Sequence, residues 1–204
     1  MLPDYTYVLE NEDKLRGIVV THGHEDHTGA LPYLLQDLNN KVPIFSSKLT
    51  LGFIEGKLAE FRIKTPKFRE VHDGSHVNLG NISIDFFSMT HSIPGALGVY
   101  IKSPQGTVMH TGDFKLDQTP IDGVTPNYAA ITKFAKQGID LLMSDSTNAN
   151  RPGFSPVRGS GGAPRSTRSS RTRRAAYSLP RSQVISTVCS RFAMRLRSAG
   201  ARSL

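Results

Sequence analysis

The chain has 204 residues, of which 38% are hydrophobic and 8% aromatic, a length that suits one domain or part of a larger one. No apolar run approaches the roughly 20 residues that cross a bilayer, which argues against an integral membrane protein. The first residues, Met1-Leu2-Pro3-Asp4, do not form a basic and then apolar leader, so we expect a cytoplasmic protein. The single cysteine, Cys189, excludes a disulfide framework and a cysteine-based zinc site. Any metal must therefore be held by histidines and carboxylates.

The net charge of +8 is unevenly distributed along the chain. Residues 1–156 carry 14 Lys and Arg against 17 Asp and Glu, a net charge of −3. Residues 157–204 carry 11 Arg but no Lys, Asp or Glu, a net charge of +11. The composition therefore predicts a folded domain over 1–156 and a disordered, low-complexity Arg/Ser-rich tail over 157–204.

The first half of the predicted domain alternates strands and helices. A β-branched run predicts a strand over 15–20, and apolar residues at helical spacing predict a helix over 30–38. A second strand over 42–45 and a second helix over 49–61 follow. This alternation is typical of an α/β fold.

From residue 68 onward the predicted elements are mostly short strands. Asp73-Gly74 and Gly80-Asn81 suit tight turns, because Gly and Asn tolerate positive φ, so we expect an antiparallel meander over 68–71, 76–79 and 82–87. A hairpin should follow over 97–101 and 107–110. The last predicted elements are a helix over 128–137 and a buried strand over 140–143.

Residues with metal-binding chemistry begin where the first predicted strand ends. Three of the seven histidines and two carboxylates fall within Thr21-His22-Gly23-His24-Glu25-Asp26-His27. A loop there can turn His22 and His24 to one side, and Asp26 and His27 to the other, which suits two adjacent divalent ions. Two such ions make hydroxide available at neutral pH and stabilise an in-line displacement at phosphorus. The alternative is a solvated polar loop, but the position between a strand and an apolar helix favours a metal site.

Two later strand ends carry one further candidate ligand each. His91 follows the strand over 82–87, and Asp113 follows the strand over 107–110. Taken alone, each is more typical of an ordinary loop or turn residue; together with the first cluster they complete a ligand set. The remaining histidines have no such partners, and we interpret them as structural: His72, His76 and His110.

The order of these candidates resembles the metallo-β-lactamase fold, with its HxHxDH loop, later His and later Asp. Four segments are more specifically similar to bacterial ribonuclease J of the β-CASP group. These segments are THGHEDHTGALPYLL at 21–35, HSIPG at 91–95, HTGDFKLDQTPIDG at 110–123 and LLMSDSTNA at 141–149. The resemblance covers about 1–156 and implies an α/β (α+β) fold, a partial αββα sandwich.

The resemblance implies a two-zinc hydrolase that cuts RNA internally and degrades it from 5′ to 3′ in rRNA maturation and mRNA decay. Mn²⁺ or Mg²⁺ are alternative metals, and family members are homo-oligomers. Matched residue by residue, His22, His24 and His91 would hold one metal, Asp26 and His27 the other, and Asp113 would bridge them. Asp26, His27 and Asp113 would then be catalytic, and Asp145 would orient a ligand.

The family pattern also extends beyond this chain. Family members have strands before the position of Met1, and a β-CASP domain and another metal-binding His after the 141–149 segment. We therefore expect this chain to be an incomplete form, whose second metal lacks one protein ligand.

The basic tail admits two interpretations. It is either a disordered RNA-binding arm or the product of a one-base frameshift near codon 156, because a shifted frame restores family-like sequence at two places. We favour the frameshift, which the nucleotide sequence around codon 156 would test. Two other functions stay open: a hydrolase of esters or thioesters on the same fold, and a non-catalytic basic fragment that binds RNA through its tail.

Overall fold

Two β-sheets form the centre of the fold. The computed structural model describes residues 2–39, 41–64 and 66–153. Within these ranges the first sheet has three parallel strands, in the order β1-β2-β3. The second has five, in the order β4 to β8, antiparallel except for the parallel pair β7 and β8. The strands are β1 Ile18–Val19, β2 Ile44–Ser46, β3 Phe68–Glu70, β4 His76–Leu79, β5 Ile82–Ser88, β6 Leu97–Ser103, β7 Gly106–His110 and β8 Leu141–Met143.

Helices pack on the outer face of each sheet. The helical segments are α1 Thr6–Glu10, a 3₁₀ turn at Glu12–Lys14, α2 Glu25–Thr28, α3 Leu31–Asp37, α4 Lys48–Glu60 and α5 Tyr128–Gln137. Apolar side chains of α3 and α4 pack against the first sheet, and those of α5 pack against the second. Across the ranges described, every helix is too short or too polar to span a bilayer.

Strand β5 lies in the middle of the layered arrangement. Phe86 and Phe87 face opposite sides of the sheet, because successive residues of a strand alternate. Both are almost completely buried, so both sides of this strand are covered. Phe86 packs with Phe45 between the two sheets. Phe87 packs on the other side, where Tyr100 stacks on Phe134 of α5 with 4.5 Å between ring centroids. The layers therefore follow the order helix, sheet, sheet, helix.

This arrangement confirms the predicted α/β fold and its αββα layering. The hairpin of β6 and β7 and the helix α5 form where the sequence predicts them. The short helices α1 and α2 were not expected, because neither shows helical spacing of apolar residues. The Arg/Ser-rich region 157–204, and the disorder predicted for it, lie outside the described residues.

Two strands differ from the prediction. The strand expected at 68–71 does not start the antiparallel meander; as β3 it lies in the first sheet, parallel to β2. Helix α4 connects these two strands, and such a crossover joins parallel neighbours. The strand expected at 140–143 exists as β8 but is not buried, since Leu141 is 37% and Leu142 56% exposed. It lies at the end of the second sheet in the described residues.

Gly98 of β6 lies directly against the ring of Phe87 on β5, and a Cβ atom added there would lie 2.3 Å from that ring. We predict that Gly98→Ala lowers the free energy of unfolding by about 1–3 kcal/mol, because the buried ring has no space to move into. Urea unfolding followed by circular dichroism measures this change.

The control for this prediction is Gly52→Ala in α4, where an added Cβ meets no atom within 4 Å. That substitution should raise the free energy of unfolding by about 0.5–1 kcal/mol, since alanine favours the helix. A Gly98→Ala protein as stable as the wild type would contradict the packing described.

Candidate metal centre

The candidate ligands lie at strand ends of both sheets. The segment containing His22, His24 and His27 follows β1 of the first sheet, while His91 follows β5 and Asp113 follows β7 of the second. The two sheets are joined at this point, because the Leu97 N–H donates a hydrogen bond to the Thr21 carbonyl over 2.9 Å. The fold therefore brings five residues from three separate segments of the chain to one edge of the sandwich.

The turn before Asp113 requires a glycine. Gly112 has φ +64°, and a Cβ at this position would lie 2.9 Å from the Leu97 carbonyl oxygen and 3.2 Å from Thr21. A side chain here would push the Asp113 turn away from the end of β1.

Three imidazole nitrogens converge on one point. His24 Nδ1 lies 3.1 Å from His22 Nε2 and 3.1 Å from His91 Nε2. One ring nitrogen cannot make a well-aligned hydrogen bond with both neighbours, since it carries either one proton or one lone pair. The outer nitrogens face hydroxyl groups, with Thr21 Oγ1 3.1 Å from His22 Nδ1 and Ser92 Oγ 3.4 Å from His24 Nε2.

His22 belongs to a second group as well, together with His27 and Asp113. His27 Nε2 lies 3.5 Å from Asp113 Oδ2 and 3.6 Å from Asp26 Oδ2. Asp113 Oδ2 also lies 3.8 Å from the Nε2 atoms of both His22 and His91. One carboxylate oxygen therefore faces both groups. The Asp26 side chain is 44% exposed and lies beside the second group.

Burial keeps two of the imidazoles neutral. His22 is completely buried, and this burial, together with the nearby His27 and His91 rings, lowers its pKa to about 3. Burial also lowers the pKa of His91. Both rings therefore offer lone pairs at neutral pH, which is the form that binds a metal.

His27 and Asp113 shift each other's pKa in opposite directions. The hydrogen bond from His27 is the main reason that the pKa of Asp113 falls to about 2. Burial acts to lower the pKa of His27, but the hydrogen bond to Asp113 and the charges of Asp113 and Asp26 outweigh it, so this pKa is raised. The second group therefore holds a carboxylate next to a histidine whose pKa is raised by that carboxylate.

The donor atoms fit a divalent metal ion. Four-coordinate zinc with bonds of about 2.0–2.1 Å places neighbouring nitrogens roughly 3.3–3.4 Å apart, close to the spacing of 3.1 Å from His24 to each neighbour. Neutral imidazoles with one carboxylate are the ligands that zinc and similar ions prefer. Among the described residues, His91 Nδ1 is buried and has no hydrogen-bond partner.

Two further residues support the Asp113 turn. Asp145 Oδ2 accepts a hydrogen bond from the Phe114 N–H over 3.3 Å, so it contacts the backbone next to Asp113. His110 Nδ1 accepts a hydrogen bond from the Gly112 N–H over 2.9 Å. The sequence analysis interprets His110 only as structural, although its position two residues before Gly112 could have indicated this contact.

The two other histidines lie outside both groups. His72 Nδ1 is 2.8 Å from the Asp73 carbonyl oxygen, and His76 Nδ1 is 2.8 Å from Asp85 Oδ1. Both make local surface contacts.

Comparison with known proteins identifies the family. A family model described as a beta-lactamase superfamily domain matches residues 4–169. The chain belongs to the beta-lactamase superfamily. This superfamily domain thus includes every residue of the candidate metal centre. A crystal structure of a protein of unknown function from Enterococcus faecalis V583 matches with a TM-score of 0.49 and 18% identity, over 69% of this chain and 33% of that chain.

Curated proteins similar to this chain include several that are named ribonuclease J. The protein of Thermus thermophilus is 44% identical over 162 residues, which is 76% of this chain and 28% of that protein. The Corynebacterium glutamicum protein is 46% identical over 155 residues, 76% of this chain and 21% of the relative. The Mycobacterium tuberculosis protein is 42% identical over 156 residues, which is 76% of this chain and 28% of that protein. The predicted resemblance is confirmed, and the chain spans about a quarter of the length of these relatives.

The lowered pKa values predict that the metal-free protein loses stability in acid. Below pH 6.5 the unfolded chain protonates His22 while the folded chain does not until about pH 3, so the unfolded state binds more protons in this window. His91 adds to this loss, and Asp113 extends it between pH 3.8 and about 2. The raised pKa of His27 gives a stabilisation that is lost as the pH rises above 6.5 and is complete below it, so it does not offset the loss within this window.

We therefore expect the free energy of unfolding, measured in urea with a chelator present, to fall from pH 6.5 to pH 4.5 by up to about 1.4 kcal/mol per pH unit for each extra proton bound by the unfolded state. His22→Gln should make this slope shallower, and the surface substitution His72→Gln should not. An unchanged slope in His22→Gln would contradict the burial argument.

Proposed function

We propose that this domain forms the metal centre of a ribonuclease that hydrolyses RNA phosphodiester bonds with two divalent ions. The observation that carries the proposal is the pair of donor groups that share His22 and face the same Asp113 oxygen. Two ions held side by side can stabilise both the attacking and the leaving oxygen in a displacement at phosphorus, as in many nucleases and phosphatases. The names of the relatives supply the substrate class.

The donor groups suggest how the ions would be held. His22, His24 and His91 would bind one ion, since their inner nitrogens converge. The other would be bound by His27 and Asp26, at the more open side of the cluster. Asp113 would bridge the two, because its Oδ2 atom is within 3.8 Å of histidines in both groups.

Bound ions would lower the pKa of a water molecule, so that hydroxide is available at neutral pH, and would neutralise phosphate charge. The protein's own groups prepare this chemistry. Burial keeps His22 and His91 unprotonated, and Asp113 is charged because its pKa is low. The carboxylates of Asp113 and Asp26 raise the pKa of His27 against the effect of burial, so a second ion would compete with a proton for this ring. Asp145 supports this arrangement by holding the backbone after Asp113.

The finer features of the proposal come from the resemblance to ribonuclease J. They are zinc as the native metal, internal cleavage combined with 5′ to 3′ degradation, a role in rRNA maturation and mRNA decay, a homo-oligomeric state and a cytoplasmic location. The division into a domain over 1–156 and a tail over 157–204 also stays a prediction. So does the expectation that the second ion lacks a protein ligand in this chain.

The rival hydrolase of esters or thioesters would use the same ligands. The names of the relatives favour RNA over these substrates. The other rival, RNA binding through the basic tail, depends on residues outside those described.

The metal assignment predicts that the purified chain retains a divalent ion after dialysis. His24→Ala should remove most of the bound zinc or manganese, because His24 Nδ1 is the atom on which the other two nitrogens converge. Elemental analysis of the folded protein measures the metal content. His72→Ala is the matched control on the surface and should leave it unchanged. Absence of metal from the wild type, or equal metal in His24→Ala, would refute the assignment.

The reaction is tested in a longer protein, in which the reading frame after codon 156 is restored and the segments expected from the family are added at both ends. This form should cleave RNA only with manganese or zinc present, and Asp26→Ala combined with His27→Ala should abolish cleavage by removing the ligands of the second ion. Gel analysis of end-labelled RNA measures the activity, and circular dichroism checks that the fold is intact. Hydrolysis of thioesters without cleavage of RNA would favour the rival enzyme.

A further inference from the structure

The candidate ligands His91 and Asp113 follow strands that are not neighbours. In the second sheet β6 lies between β5 and β7, so no ladder hydrogen bonds join the two strands directly. The sheet links these strands through β6, and a direct link between the loops after them would further fix the distance between His91 and Asp113.

Thr90 provides this link. Its side chain is completely buried, and its hydroxyl donates a hydrogen bond to the Lys115 carbonyl oxygen. The same hydroxyl accepts a hydrogen bond from the Asp117 N–H over 3.4 Å. The Lys115 N–H in turn donates to the Thr90 carbonyl over 2.7 Å. Three hydrogen bonds thus join the residue before His91 to the segment that begins two residues after Asp113.

We propose that Thr90 is a positioning residue that holds His91 and Asp113 in register for metal binding, a role that rests on the proposed metal centre. The hydroxyl contacts no candidate ligand; it acts on the two loops that carry them. A residue with the shape of threonine but without the hydroxyl would leave the Lys115 carbonyl and the Asp117 N–H without this partner. Of the three hydrogen bonds, the one from the Lys115 N–H to the Thr90 carbonyl would remain, so the distance of 3.8 Å between His91 Nε2 and Asp113 Oδ2 would be held less firmly.

The test compares Thr90→Val with Thr90→Ser and Thr107→Val by calorimetric titration with zinc. Thr90→Val should weaken zinc binding about 10–100-fold, the usual effect of removing a group that orients metal ligands. Thr90→Ser keeps the hydroxyl and should bind zinc as the wild type does. Thr107→Val is the matched control, since its hydroxyl donates to the Gly138 carbonyl and to Asp140 at the far end of β7. It should leave zinc affinity unchanged even where it lowers stability.

A second measurement needs no variant. Because coupling between two sites is reciprocal, zinc binding should slow amide hydrogen exchange at Lys115 and Asp117 in the wild-type chain. The Thr107 amide, which donates to Asp140 Oδ2 over 2.7 Å, should be unaffected.

The outcomes separate this role from the metal centre itself. A wild-type chain that binds no zinc overturns the metal centre and the role of Thr90 with it. Zinc binding by the wild type together with equal affinity in Thr90→Val overturns the role of Thr90 alone. If Thr90→Val does not fold, unchanged exchange at Lys115 and Asp117 on addition of zinc overturns it as well.

Discussion

The buried, neutral ring of His22 is the constraint on which the candidate centre depends. Its ring centroid lies 4.1 Å from that of His27 and 4.8 Å from those of His24 and His91. Four imidazoles this close could not all carry charge without strong repulsion, and burial raises that cost further. Burial therefore favours the state in which His22 and His91 act as lone-pair donors. The pKa of His27 is raised instead, because it lies beside two carboxylates whose effect outweighs burial.

The layered fold explains how such a cluster is assembled. The end of β1 reaches the second sheet through the hydrogen bond between Leu97 and Thr21, which places His22 where the strands of both sheets end. The buried Phe45 and Phe86 between the sheets then fix the distance between the layers. Changes far from the centre can thus alter its geometry through the packing of the sheets.

Much of the fold and the site could be predicted from local signals. The spacing of apolar residues and the turn residues predict α5 and the hairpin of β6 and β7. The cluster from His22 to His27 indicates metal binding by itself. The pairing of β3 could not be read in the same way, because it depends on the crossover through α4 and not on the nearby turn at Asp73-Gly74. The exposure of β8 likewise depends on its place in the sheet, which residues 141–143 do not encode.

The candidate metal centre could also be predicted only in part from the sequence. The identity of its candidate ligands follows from motif order, but which nitrogen of each histidine faces the cluster does not. His24 presents Nδ1, whereas His22 and His91 present Nε2. Thr90 also escaped sequence reasoning, since a threonine before a histidine carries no pattern that predicts a link to residues 115–117.

Strand β8 has a practical consequence for handling the protein. Its only neighbour in the described part of the sheet is β7, and Leu142 is more than half exposed. A sheet edge that combines open backbone groups with apolar side chains is a template for pairing with other molecules. Samples of this chain should therefore become turbid with increasing concentration and time, and a charged residue in place of Leu142 should improve solubility.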